Sequence, residues 1–464
     1  MRIAAIDQGT TSTRVLVVEG AAARIAHAVR HDQHHPQPGW VEHDPHELLA
    51  NVRSCIAAAG PVAALGLDNQ GESCLAWDAD SGEPLSPVIV WQDNRTTDVI
   101  EGLRAAGTEA VTLERAGLPL DPYFSAAKLA WILARLAPAQ RRRARLGTTD
   151  AWFLQRLTGL CATDVTTASR TSLMNLGTCR WDEELCRLFG VPLECLPEIR
   201  PTVGAFGDVG GAPLTAAVVD QQAALYGHGC RAPGDAKITF GTGAFALAVT
   251  GPAIVRAPEQ GLLPTVAWGR GDRTVYAVDG GVYDAGAAVE WAGRLGLYAD
   301  LAALDTFAAP PAIGRGLVFV PALSGLACPH WDRSAAALWL GMTAATSRED
   351  LCQALLEGVA LATAEVVAAM AARVPLGERL SVDGGLVRSS YFCQFLADVT
   401  GRTIVRPAFD ELTAFGCAAL AASGLGLALA RPDQGEAVFV PRSPEGPLWR
   451  ERFAEAVSRA RRWR

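Results

Sequence analysis

Three short segments of this chain combine glycine with hydroxyl-bearing or acidic residues in a way that can hold a phosphate: Asp7-Gln-Gly-Thr-Thr-Ser-Thr13, Phe240-Gly-Thr-Gly-Ala244 and Asp383-Gly-Gly385. Glycine lets the main chain turn sharply and approach a ligand closely, with amide N–H groups and hydroxyls left free to donate to phosphate oxygens. Moving a phosphoryl group asks little covalent help of a protein. It needs such donors, a metal ion held by carboxylate, and a base beside the attacking hydroxyl. A Gly-Thr turn between strands also serves simply as a turn. What lifts these segments above that reading is that both halves of the chain open on such a glycine-hydroxyl hairpin, with the Asp-Gly-Gly turn following in the second.

The elements that must position them follow from hydrophobic patterning. Residues 2–6, 14–18 and 23–29 are short and rich in aliphatic and β-branched side chains, which predicts three strands joined by tight turns. A helix over 47–58 follows, with Leu48, Val52, Cys55 and Ile56 on one face, and then a buried parallel strand over 62–67. After Pro233 and Gly234 the plan begins again, with strands over 237–240 and 244–249 around the Gly241-Thr242-Gly243 turn. A long helix over 348–372 opens on Ser347 as N-cap with Asp350 three residues on, and carries Leu351, Leu355, Val359, Ala362 and Val366 at helical spacing. A strand over 380–382, the Asp383-Gly-Gly385 turn and a helix over 390–400 complete the second half. The division falls near 228–234, giving domains over 1–230 and 231–464.

Composition agrees with a compact α/β protein. The 464 residues are too many for one core, half are hydrophobic, and 19% are charged. A formal net charge of -8 argues against a broad nucleic-acid footprint, and the basic tail Arg459, Arg461, Arg462 and Arg464 suits a solvated helix C-terminus. Eleven cysteines lack any metal-ligand spacing and fit reduced, packed thiols of a cytoplasmic protein. The N-terminus reaches Asp7 after too few apolar residues for a secretory signal. No membrane span is expected: 412–430 is uncharged but dominated by Ala, Gly and Ser, which predicts a closely packed core helix, and Glu357 and Glu365 interrupt the other long apolar stretch.

The motifs resemble those of the FGGY carbohydrate kinases of the actin-like ATPase superfamily, over almost the whole chain. The resemblance runs through Asp7 to Arg14, Gly39-Trp-Val-Glu-His-Asp-Pro45, Val90-Trp-Gln92, Asp121-Pro-Tyr-Phe-Ser125, Asp220-Gln-Gln-Ala-Ala-Leu225, Gly241-Thr-Gly243 and Val382-Asp-Gly-Gly385. The segments 121–125 and 220–225 are similar to members that act on glycerol more than to the ketose kinases. The resemblance implies an α/β fold of two actin-like (ribonuclease H-like) domains flanking a deep interdomain cleft. The implied activity is ATP-dependent phosphorylation of a small polyol, glycerol first, with a tetritol such as erythritol or threitol, or a ketose, as the alternative.

Carried over residue by residue, the resemblance makes Asp220 the base that accepts the proton of the attacked hydroxyl, a role that suits a carboxylate held nearby; read alone, Asp220 also suits a helix cap. Glu72, Trp91, Tyr123, Gln221 and Phe245 match the polyol pocket, where aromatic faces pack on carbons and carboxylates take hydroxyl pairs. Thr10, Thr11, Ser12 and Arg14 match the first phosphate loop, and Gly241, Thr242 and Gly243 the second. Gly286, Glu290, Gly385 and Ser389 match the adenosine side, although the family usually carries amides at the positions of Glu290 and Ser389. Asp7 matches a carboxylate close to Mg2+. A homodimer or homotetramer is implied.

Two departures stand out. Asn69-Gln-Gly-Glu-Ser73 places Gly71 where the glycerol-specific members carry an arginine that contacts substrate oxygens. Its loss leaves room for a longer polyol, or another arginine such as Arg95 fills the space. The stretch 207–214 lacks a basic glycine-rich loop that some members use to bind a sugar bisphosphate, so no such regulatory site is expected. A nonenzymatic ATP-binding sensor on the same fold would show a damaged base or phosphate loop, yet Asp220, Asp7, Thr10 and Thr242 are all in place.

Overall fold

In the computed structural model, which describes residues 1–464, the chain opens with three antiparallel strands, Arg2–Gln8, Ser12–Glu19 and Ala22–Arg30. The first runs two residues past the apolar stretch because Asp7 and Gln8 continue the ladder opposite Arg14 and Thr13. Ala64–Asn69 adds parallel to it and Ala212–Val219 adds parallel to that, in a six-stranded sheet. The second half repeats the plan. Ala236–Phe240, Ala244–Gly251 and Arg273–Val282 are antiparallel, with Leu263–Arg270 outside them, and Arg379–Gly384 and Thr403–Pro407 add in parallel on the other side of the first strand.

This order brings the carboxyl ends of the parallel strands side by side, the place where open α/β sheets bind ligands. In the first sheet Asp7 lies opposite Asp68, and Asn69 opposite Val219, the residue before Asp220. In the second, Thr239 lies opposite Asp383 and Phe240 opposite Gly384.

One face of the first sheet is covered by the helices Pro45–Ala59 and Thr149–Thr158 through Leu48, Val52, Trp152 and Phe153. The other face is covered by a segment from the second half of the chain: the helix Leu412–Gly424 packs on Ile3, Ala5, Leu16 and Val218. That helix is closely packed as its composition predicts, but it ends at Gly424 and not at 430. It crosses the helix Asp220–Gly227, which starts at the end of the strand Ala212–Val219 and packs its Leu225 against Leu247 and Val249 of the second sheet. A side chain at Gly416 would come within 1.8 Å of the Ala223 carbonyl, and one at Gly227 within 1.9 Å of that of Leu412, so the crossing needs glycine on both helices.

The helix Arg348–Ala371 carries the expected Ser347–Asp350 capping box and fills the core of the second sheet. By length and composition it is apolar enough to cross a membrane, yet most of it is buried within the protein. Its Glu357 accepts the backbone N–H groups of Ala312 and Ile313 at 2.8 and 2.9 Å. A small four-stranded sheet, Glu42–His43, Cys74–Asp78, Val88–Ile89 and Ala144–Thr148, with the helix Ser125–Arg135, forms an insert around Cys74, Ile89, Leu129 and Leu146. Its shortest strands are two residues long, too short to leave a periodic signal.

Candidate active site

Two cavities meet at the Gly241–Thr242 turn. The smaller, about 170 Å³, is lined by Glu72, Trp91, Tyr123, Asp220, Gln221 and Phe245, together with Thr10 and Gly243. The larger, about 610 Å³, is lined by Gly286, Glu290, Gly385 and Ser389. Gly241 and Thr242 border both.

The insert supplies three walls of the smaller cavity. Glu72 precedes the strand Cys74–Asp78, Trp91 follows Val88–Ile89, and Tyr123 precedes the helix Ser125–Arg135. Glu72 sits at φ 58, a conformation that costs a non-glycine residue energy and that surrounding contacts must hold. Ser125 Oγ holds it by donating to the Glu72 carbonyl at 2.9 Å. Trp91 and Tyr123 meet edge to face at 5.6 Å, and the buried Lys128 donates to the Tyr123 carbonyl at 2.7 Å. Trp91 Nε1 donates to Thr10 Oγ1 at 3.1 Å, joining this wall to the first glycine turn.

Asp220 opens its helix at the cavity floor, and one carboxylate oxygen accepts the Gln221 amide at 2.6 Å, so the cap-like contact and the cavity placement coexist. Burial, reinforced by the negative charges of Glu72 and Asp7, pushes its pKa up to about 7, against the pull of the Gln221 amide and Lys237. A carboxylate in that range is matched to accept a proton at neutral pH and release it again.

The rest of the first turn is arranged differently. Asp7 is buried and pairs with Arg14 at 3.1 Å, and Arg14 also pairs with Glu411 at 3.0 Å. Arg14 is thus committed to carboxylates, and Asp7, Thr11, Ser12 and Arg14 line neither cavity. Arg95 does not fill the space beside Gly71. It is buried away from the cavity between the Trp40 and Trp131 rings, 3.8 and 4.8 Å from their centroids, and pairs with Asp93 and Glu42 at 2.7 and 2.8 Å.

Several residues at the site carry no local sequence signal. Arg170 and Asp279 line the smaller cavity, Lys237 donates to Gln221 Oε1 at 2.6 Å and Thr239 Oγ1 at 2.9 Å, and Asp68 is fully buried next to Asp7. Neither carboxyl oxygen of Asp68 has a hydrogen-bond partner, and burial with Asp7 alongside holds its pKa well above the ordinary carboxylate range.

Comparison with known proteins decides what this arrangement belongs to. Residues 2–227 match the N-terminal domain, and residues 236–425 the C-terminal domain, of the FGGY family of carbohydrate kinases. The chain is 43% identical to the glycerol kinase of Thermus brockianus, over 99% of this chain and 98% of that one, and 42% identical to that of Gloeobacter violaceus, over 99% and 97%. The crystal structure of Plasmodium falciparum glycerol kinase with ADP superimposes with a TM-score of 0.90 at 30% identity, covering 99% of this chain and 98% of that one. The chain belongs to the FGGY carbohydrate kinases.

In this FGGY kinase the larger cavity has apolar walls, from Val289, Leu304, Leu356 and Leu386, beside main chain that glycine lets approach closely. A side chain at Gly286 would lie 2.5 Å from the Gly241 carbonyl, so the helix Gly286–Arg294 begins flush against the shared turn. Gly384, at φ +99, would place a side chain 2.2 Å from the Phe240 carbonyl, which lets the Asp383-Gly-Gly385 turn lie against the second hairpin. Ser389 caps the helix Ser390–Thr400, accepting from Phe392 N at 3.1 Å and donating to the Leu304 carbonyl at 3.0 Å.

Proposed function

We propose that this kinase transfers the γ-phosphoryl group of ATP to a terminal hydroxyl of glycerol, giving glycerol 3-phosphate and ADP. The observation that carries this is Asp220, near neutral pKa, lining a cavity of about 170 Å³ that shares the Gly241–Thr242 turn with a cavity large enough for a nucleotide. The relatives at 43% and 42% identity are glycerol kinases, and the small cavity suits a three-carbon polyol.

Asp220 accepts the proton of the attacking hydroxyl as that oxygen bonds to the γ-phosphorus and the bond to the bridging oxygen of ADP breaks. Glu72 and Gln221 border the polyol on its polar side, while Trp91, Tyr123 and Phe245 pack on the carbons. Amides of the 241–243 turn and the Thr242 hydroxyl donate to the phosphates, with Thr10 facing them from the first turn. Gly286, Glu290, Gly385 and Ser389 border the adenosine end. Domain closure excludes water, which limits ATP hydrolysis.

Mg2+ is usually held by one or two carboxylates together with substrate phosphates and water, and the first sheet places two carboxylates, Asp7 and Asp68, side by side. The carboxylates that would hold the ion are Asp7, which is paired with Arg14 outside both cavities, and the unpartnered Asp68 beside it; the ion would neutralise charge on the phosphates of ATP.

The test is ADP release with ATP and magnesium across glycerol, erythritol, the threitols, xylitol and short ketoses, as kcat/KM for each. Glycerol should lead. A longer polyol in first place overturns the substrate, and ADP release independent of any polyol overturns the transfer reaction.

A further inference from the structure

The wall beside Gly71 is closed by another side chain. A Cβ on residue 71 would meet Val219 Cγ2 at 2.8 Å, and Val219 itself lines the cavity, so the pair leaves an apolar surface where the glycerol-specific resemblance expects a guanidinium. A guanidinium is nonetheless present from another direction. Arg170, in the loop after the helix Val165–Ala168, donates through Nε to Glu72 Oε1 at 2.7 Å and pairs through Nη2 with Asp279 Oδ2 at 3.1 Å.

Its third nitrogen, Nη1, is buried and has no partner, and Oδ1 of Asp279 is buried and unpartnered as well. Both side chains are close to nine-tenths buried or more, with 7% and 12% of their surface exposed. A buried polar group without a partner is costly, so something polar belongs here. The unfilled pair is one donor and one acceptor, and a hydroxyl is the group that accepts from the first while donating to the second. Glu72 and Asp279 outweigh burial in raising the pKa of Arg170, so the donor stays charged.

We propose that Arg170, with Asp279, binds the polyol hydroxyl farthest from the transferred phosphate and so supplies the charged donor that position 71 lacks; the inference rests on the polyol-kinase reading above. Arg170 belongs to the first family domain and Asp279 to the second, in the strand Arg273–Val282. A hydroxyl completing the pair therefore joins the two sides of the cleft through the substrate.

The experiment compares kcat/KM for glycerol and for propane-1,2-diol, which keeps a terminal hydroxyl for transfer but lacks the distal one, in the wild type and in Arg170→Lys, Arg170→Gln and Asp279→Asn. The wild type should favour glycerol by about 100-fold or more, since a site built to bond a hydroxyl rejects the analogue lacking it. Arg170→Gln should act mainly through the KM for glycerol and shrink that preference by about 10-fold or more, with ADP affinity by calorimetry unchanged. Arg170→Lys should retain part of the preference. Equal losses on both substrates would overturn the proposal, because an ion pair that only supports the fold has no reason to distinguish them. A wild-type preference near one overturns it without any variant. Absence of polyol-dependent ADP release from the wild type overturns the kinase reading itself, an outcome distinct from either of these.

Discussion

Around the smaller cavity charged side chains hold one another, Arg170 between Glu72 and Asp279 and Lys237 on Gln221, whereas the larger cavity is lined by apolar side chains such as Val289, Leu304, Leu356 and Leu386 and by a main-chain contact that only glycine at 286 allows. The first offers a ligand paired polar groups and the second an apolar, closely shaped wall. Substitutions around the first should therefore couple strongly to one another, because each removed charge leaves a buried partner behind. Around the second, side chains can vary but an added Cβ cannot be absorbed without moving the backbone.

The largest effect that would break this contrast is expected at Asp220. Asp220→Asn should lower kcat by about 1,000-fold or more while ADP affinity by calorimetry stays within about two-fold; a matching loss of nucleotide affinity would mean the two cavities are not separable. Next, Gly286→Ala should raise the KM for ATP by about 10-fold with little change in the KM for glycerol, since the turn it displaces is bordered by both cavities but the helix only by the larger. A large rise in the glycerol KM instead would show that the shared turn transmits the shift.

Acidity offers a finer probe. Asp220 must be ionised to accept a proton, so kcat/KM for glycerol should rise with pH and level off above an inflection near 7. The negative charge of Glu72 is one cause of that raised value, so Glu72→Gln should move the inflection to lower pH as well as weakening glycerol binding. An inflection that stays in place would remove Glu72 as a cause. The smallest effect is expected at Ser389→Ala, which loses a helix cap and should lower unfolding stability by about 1 kcal/mol in urea titration with the KM for ATP little changed.

Much of this was legible in the sequence because the signals were local. The turns at 7–13, 241–243 and 383–385 combine glycine with polar residues at strand ends, and the hairpins around them appear where hydrophobic patterning puts them, with edges shifted by one or two residues. Arg170 and Asp279 were not legible, because each looks ordinary in its own segment and acquires meaning only when the cleft brings them together. Lys237 opens the strand expected over 237–240 with nothing to mark it as buried, yet it is fully buried against Gln221. Arg95 looked available beside Gly71 because sequence distance does not reveal the tryptophans that enclose it.

The glycine-mediated crossing of Asp220–Gly227 and Leu412–Gly424 also bears on how the polypeptide comes into being. As the nascent chain emerges, the first sheet can pair its strands once residue 219 is out, but Ile3, Ala5, Leu16 and Val218 stay bare until the stretch ending at Gly424 arrives. The helix that begins with Asp220 lacks the crossing helix it packs on during that interval. A fragment ending near 230 should therefore bind chaperones or aggregate, and co-expression with the remaining segment should restore solubility, so the Asp220–Gly227 helix reaches its final seat only late in synthesis.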